Sequence, residues 1–121
     1  MISMTKLTNS FHYAFSGLQF AWENDQNIRL HFVITLLVLV LAFSFQVTAV
    51  EFGILLAMIV IVLCCEMINT TVEKVVDLIT KETREDARIA KDVSSAMVLI
   101  ASVGAAIVGL SILLPYFFRL F

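Results

Sequence analysis

The stretch from Phe52 to Asp77, FGILLAMIVIVLCCEMINTTVEKVVD, decides the fold. Its first fourteen residues, Phe52 to Cys65, carry no charge, and then Glu66 interrupts the apolar run. On a helix turning about 100° per residue, Glu66, Asn69, Glu73 and Asp77 fall within an arc of roughly 80°. Three carboxyl groups and one amide therefore share one face. A charged side chain at the bilayer centre costs ~2.5–3.5 kcal/mol or more, so Glu66 marks chemistry or ion handling. The polar face runs from membrane depth to the membrane surface, where a lipid-soluble and a water-soluble molecule can meet.

Outward from this stretch, two more uncharged runs appear: Leu30 to Val50 and Val93 to Phe118. The central run reaches Val72 once Glu66 is accepted. A ~30 Å hydrocarbon core needs about 20 helical residues, so residues 30–50, 52–72 and 93–118 are expected to span. With 60% hydrophobic and 15% charged residues in 121, the chain is expected to be one membrane domain, 1–121, rather than a water-soluble fold. No cleavable signal peptide is expected, because the first apolar run comes late and is long enough to span. Adjacent Cys64 and Cys65 point about 100° apart on a helix and are read as apolar filler, not a disulfide.

The basic residues are sorted by side. Lys74, Lys81, Arg84, Arg88 and Lys91 lie between spans two and three, Lys6 and Arg29 precede span one, and Arg119 alone lies at the far end. The connection near Gln46 to Glu51 has none. The positive-inside rule places the N-terminus and the second connection in the cytoplasm and the C-terminus outside. The net charge of −2 adds little to this sorting.

Residues 8–22 read as an amphipathic surface helix, with Phe11, Phe15, Leu18 and Trp22 at helical spacing and Asn9, His12, Ser16 and Gln19 on the other sides. Gly17 offers room for another chain or a ligand. Asn24 to Arg29 is a polar junction, Thr80 to Arg88 a loop, and span three is expected to start near Ile89. The second span should continue as helix to about Ile79. Ala101, Ala105 and Gly109 recur at the four-residue interval that lets membrane helices pack closely. Three helices cover Glu66 poorly, so oligomerisation is expected.

Glu73 and Asp77, with Glu23 and Asp25 at similar depth, offer carboxylate oxygens from two segments. That suits Mg²⁺, which binds one or two carboxylates plus substrate phosphates. Lys81, Arg84, Arg88 and Lys91 can neutralise phosphate oxygens, although topology and solvation alone account for the loop charges. With Glu66 as a deeper base, the set can perform phosphoryl transfer. The glycine-rich loops and catalytic motifs of soluble kinases are absent, as are zinc-ligand spacings and nucleic-acid-binding signals. His12 and His31 are read as interfacial polar residues. Two other classes stay open: a proton-coupled transporter built on Glu66, and a non-catalytic membrane subunit.

The pattern Glu66-x-x-Asn69-x-x-x-Glu73-x-x-x-Asp77, followed by Ala90-Lys91-Asp92, closely resembles the prokaryotic diacylglycerol kinase family, and the resemblance covers nearly the whole chain. It implies an all-α integral membrane homotrimer with active sites shared between subunits, in a bacterial inner membrane with the site cytoplasmic. MgATP would be the donor and a lipid alcohol the acceptor. Glu66 would be the general base at the lipid substrate, with Ser95 and the surface helix flanking the acceptor. Asp25 and Glu73 would bind Mg²⁺, Asp25 replacing the family's usual glutamate. A return to glutamate there should be tolerated. Lys6, Tyr13, Asp25, Glu73, Glu82, Arg84, Lys91 and Asp92 match nucleotide-binding positions, with Asn69 and Asp77 supporting the polar face. Asn27-x-Arg29-x-His31 resembles the branch that phosphorylates undecaprenol, with diacylglycerol as the alternative acceptor.

Overall fold

A computed structural model describes all 121 residues, as four helices: α1, Met4–Asn24; α2, Gln26–Ser44; α3, Ala49–Ile79; and α4, Glu85–Phe118. The architecture is all-α, as expected. Helices α2, α3 and α4 are each long and apolar enough to cross a membrane.

Asp25 separates α1 from α2 by serving both. Its backbone N–H closes α1 on the Ala21 carbonyl at 2.8 Å. Its side-chain Oδ1 accepts from the N–H groups of Asn27 at 2.9 Å and Ile28 at 3.4 Å, capping the start of α2. Arg29 reaches back to donate to the Trp22 and Glu23 carbonyls, which the helix end leaves without partners. The polar junction expected over Asn24–Arg29 is thus a single non-helical residue. Ser3 caps α1, which starts four residues before the expected Thr8.

The first apolar run ends at Val50, yet α2 ends at Ser44. Gln46 adopts φ 52°, in the left-handed region, and turns the chain. Thr48 then caps α3, its Oγ1 accepting from the Glu51 N–H while the Glu51 carboxylate accepts from the Thr48 N–H. At the other end of α3, the connection to α4 is only Thr80–Arg84. Glu85 and Asp86 open α4, where negative charge suits the positive end of the helix dipole.

Cross-helix contacts fix the topology. Lys91 meets Asp77, Ser94 meets Asn69, and Tyr116 meets Glu51, so α4 runs antiparallel along α3. Asp25 meets Thr70, His31 meets Glu66, and Phe43 meets Phe52, so α2 runs antiparallel to α3 on another side. Helix α1 is held by Trp22 edge-on against Phe32 and by Lys74 over the Phe20 ring. Its Phe11, Phe15, Leu18 and Trp22 side chains stay exposed.

Only eight residues are buried, and the two largest fully buried side chains are Ile28 and Glu66. So small a core leaves lipid, or further copies of the chain, to cover the apolar flanks. The small-residue repeat lies on α4, which packs most extensively against α3. Ala105 and Gly109 line a 410 Å³ cavity between α2, α3 and α4, and a Cβ added at Gly109 would meet nothing within 4 Å. Gly17 is similarly open, beside a hollow between α1 and α3.

Candidate active site

The polar face of α3 meets the other helices where α1 turns into α2. Glu66 lies at its deep end, 1% exposed, so one chain alone covers it, contrary to the expectation that three helices would cover it poorly. Seven residues on, Glu73 is about 10 Å nearer the end of α3, at 1.5 Å rise per residue. In the other direction, Glu51 is about 22 Å away on the same scale. Glu66 therefore lies nearer to Glu73 than to Glu51 along α3, on the half of the helix that carries the other polar residues.

Asp25 comes to this face through Thr70, whose hydroxyl donates to Asp25 Oδ2 at 2.7 Å. Thr70 precedes Glu73 by three residues, so the two share a face one turn apart. Asp25 and Glu73 both lie within electrostatic range of Glu66. Asn69 bridges two helices: its amide donates to Glu73 Oε1 at 3.4 Å, and its Oδ1 accepts from the Ser94 hydroxyl at 2.8 Å. Asn69 and Ser94 are both buried.

Farther out, the Lys91 ammonium donates to Asp77 at 2.7 Å. That contact holds the Asp77 carboxyl below the usual carboxylate range and raises the Lys91 ammonium above its ordinary value. Asp92 accepts from Arg88 at 2.7 Å. Glu82 and Arg84 pair with each other in the exposed α3–α4 connection. Lys6 and Tyr13 lie exposed on α1, with no ion pair to the acidic residues of α3 or α4. One chain thus gathers Asp25, Glu66, Asn69 and Glu73 and leaves Lys6, Tyr13, Glu82 and Arg84 at the periphery.

Three residues of the cluster escaped the sequence reading. Ser94, not Ser95, enters the buried network, and Ser95 is exposed. Ser94 lies three residues past Lys91, within the turn that Lys91 brings toward α3, which was the available signal. Thr70 holds Asp25. His31 was read as an interfacial residue, yet its Nε2 lies 3.3 Å from Glu66 Oε1.

The donor set is hard oxygen. No group of three or more His, Cys, Asp or Glu side chains forms a protein cage for a metal. Carboxylate oxygens are the donors that Mg²⁺ takes alongside substrate phosphates and water. The Asp25 oxygens already accept from backbone and Thr70, but a carboxylate offers about four lone-pair directions, so acceptor capacity remains.

The sequence profile of the prokaryotic diacylglycerol kinase family matches residues 12–113. The chain belongs to this family. It is 34% identical over 113 residues to a diacylglycerol kinase of Escherichia coli, covering 93% of each chain. It is 36% identical over 107 residues to a diacylglycerol kinase of Synechocystis, covering 88% of this chain but 61% of that relative, less than two thirds of its length. It is 30% identical over 112 residues to an undecaprenol kinase of Bacillus subtilis, covering 93% of this chain and 91% of the relative. Family membership makes the chain a lipid kinase, a transferase. The transporter and inert-subunit readings fall away.

Proposed function

We propose that the chain transfers the γ-phosphoryl group of ATP to the hydroxyl of a membrane lipid alcohol at the cytoplasmic face of a bacterial inner membrane. The observation that carries this reading is Glu66: a carboxylate 1% exposed, between apolar helices, on the same face as the oxygen donors Asp25 and Glu73. In this reading Glu66 takes the proton of the acceptor hydroxyl as its oxygen attacks phosphorus. Asp25 and Glu73 would hold Mg²⁺, which supplies charge neutralisation on the phosphate oxygens. Lys91 and Asp92, with Lys6, Tyr13, Glu82 and Arg84, engage the nucleotide.

A homotrimer with sites shared between copies accounts for two features. The single chain buries only eight residues. Its nucleotide residues on α1 have no partners on α4, so a second copy is the natural source of the missing wall. Helix α1, with its apolar side chains exposed, lies in the membrane interface.

Undecaprenol is the proposed acceptor, on the strength of Asn27-x-Arg29-x-His31 and the undecaprenol kinase relative. Diacylglycerol is the second reading, favoured by the higher identity to relatives of that name. The test is lipid phosphorylation by the purified protein in detergent with MgATP, offering both alcohols side by side. A higher kcat/KM for undecaprenol supports the first acceptor. A higher value for diacylglycerol replaces it with the second and keeps the mechanism. Phosphate transfer to neither overturns the proposal.

A further inference from the structure

We infer that His31 is the positioning residue for Glu66: its imidazole holds Oε1 of the carboxylate and leaves Oε2 as the one oxygen free to take the acceptor's proton. The inference rests on the reading of Glu66 as the base given above.

Three observations carry it. His31 Nε2 is 3.3 Å from Glu66 Oε1, and no other hydrogen-bonding side chain of the chain contacts this carboxylate. Glu66 Oε2 is buried with no hydrogen-bond partner. The two oxygens, equivalent by chemistry, are therefore made unequal by the fold. An ionised carboxylate only accepts, so a hydrogen bond in this pair requires the proton on Nε2 of the imidazole.

The third observation is exposure. The Glu66 side chain is 1% exposed, while that of His31 is 17% exposed and forms part of the wall of the 410 Å³ cavity. Apart from His31, Thr35, Ser102 and Gly109, that cavity is hydrophobic. His31 therefore stands between the buried carboxylate and the space open to an apolar molecule. Around the pair, the charged groups are Asp25 at the α1–α2 junction and Glu73 on α3. Both are acids, and neither can donate to Glu66 when ionised, so the donor role falls to His31.

A buried carboxylate with no donor rotates or recruits water. A base works only when its lone pair points along the path of the proton. Loss of the donor should therefore reduce turnover and leave nucleotide binding alone. Glutamine at position 31 retains an N–H donor on a side chain of comparable reach, whereas leucine retains bulk only.

The test compares the wild type with His31→Leu, His31→Gln and Glu66→Gln, each purified in detergent and checked for assembly by size exclusion. Should leucine disturb assembly, His31→Phe supplies a ring without the donor. We expect a kcat loss of tenfold or more in His31→Leu, with KM for MgATP within about twofold of wild type. His31→Gln should recover most of that loss. Wild-type kcat in His31→Leu, or His31→Gln as poor as His31→Leu, overturns the positioning role while Glu66 stands. Normal turnover in Glu66→Gln overturns the base assignment and the inference with it.

Discussion

Replacing Asp25 separates its structural work from its chemical work. In the fold it does two things: Oδ1 caps α2 through the Asn27 and Ile28 N–H groups, and Oδ2 accepts from Thr70. Loss of an N-cap side chain costs about 1 kcal/mol. The Thr70 bond is charge-assisted but half-exposed, and its loss adds about 1 kcal/mol. Asp25→Ala should therefore destabilise the protein by about 2 kcal/mol. Asp25→Asn keeps a good cap and a polar partner for Thr70, so it should lose under about 1 kcal/mol. Asp25→Glu is set apart from both, because glutamate caps helices poorly; it should cost about 1 kcal/mol, against the tolerance the family pattern implies. The assay is unfolding in mixed detergent with increasing SDS, followed by circular dichroism. Activity should rank differently: alanine and asparagine both lose the metal-binding charge and should both be severely impaired. An alanine variant as stable as wild type, or an asparagine variant as unstable as alanine, would refute the capping argument.

Other expectations concern the rest of the cluster. Glu73→Gln should shift the Mg²⁺ dependence of turnover to higher concentration, and an unchanged titration would remove Glu73 from the metal site. Ser94→Ala strands the buried Asn69 Oδ1 and should cost about 1–2 kcal/mol by the same unfolding assay, with Ser95→Ala near neutral. Equal effects would contradict the observed rotation of α4. The Asp77–Lys91 pair should be insensitive to pH across the neutral range. Because the Asp77 carboxyl is lowered, its contribution is present above the ordinary value of ~3.9 and is lost as pH falls through the lower folded value. Because the Lys91 ammonium is raised, its contribution is present below ~10.4 and is lost as pH rises through the higher folded value. The stability difference between wild type and Lys91→Met should stay flat from about pH 5 to 9. A change in that difference between pH 6 and 8 would point to another titrating partner.

The long apolar helices were legible in the sequence, whereas rotation about the helix axes was not. Hydropathy located three spans, and the spacing from Glu66 to Asp77 identified one polar face on α3. Helix α2 is apolar on all sides, so no pattern announced which way His31 turns. Whether Ser94 or Ser95 faces Asn69 depends on about 100° of rotation in α4, which packing against α3 decides. The early end of α2 had a readable sign in Thr48-x-x-Glu51, a capping box inside a stretch that hydropathy alone treats as uniform. Asp25 looked like a metal ligand with an unexplained short side chain. Its shortness has a local reason, since aspartate caps a helix where glutamate does not.

The central claim is that Glu66 takes the proton of a lipid hydroxyl during phosphoryl transfer. The most direct test is the transfer of labelled γ-phosphate from MgATP into organic-extractable lipid by the wild type and by Glu66→Gln, with MgATP binding measured on the same samples. Wild type should label lipid and Glu66→Gln should not, with nucleotide binding within a few-fold of wild type. Lipid labelling by Glu66→Gln at the wild-type rate would contradict the central claim.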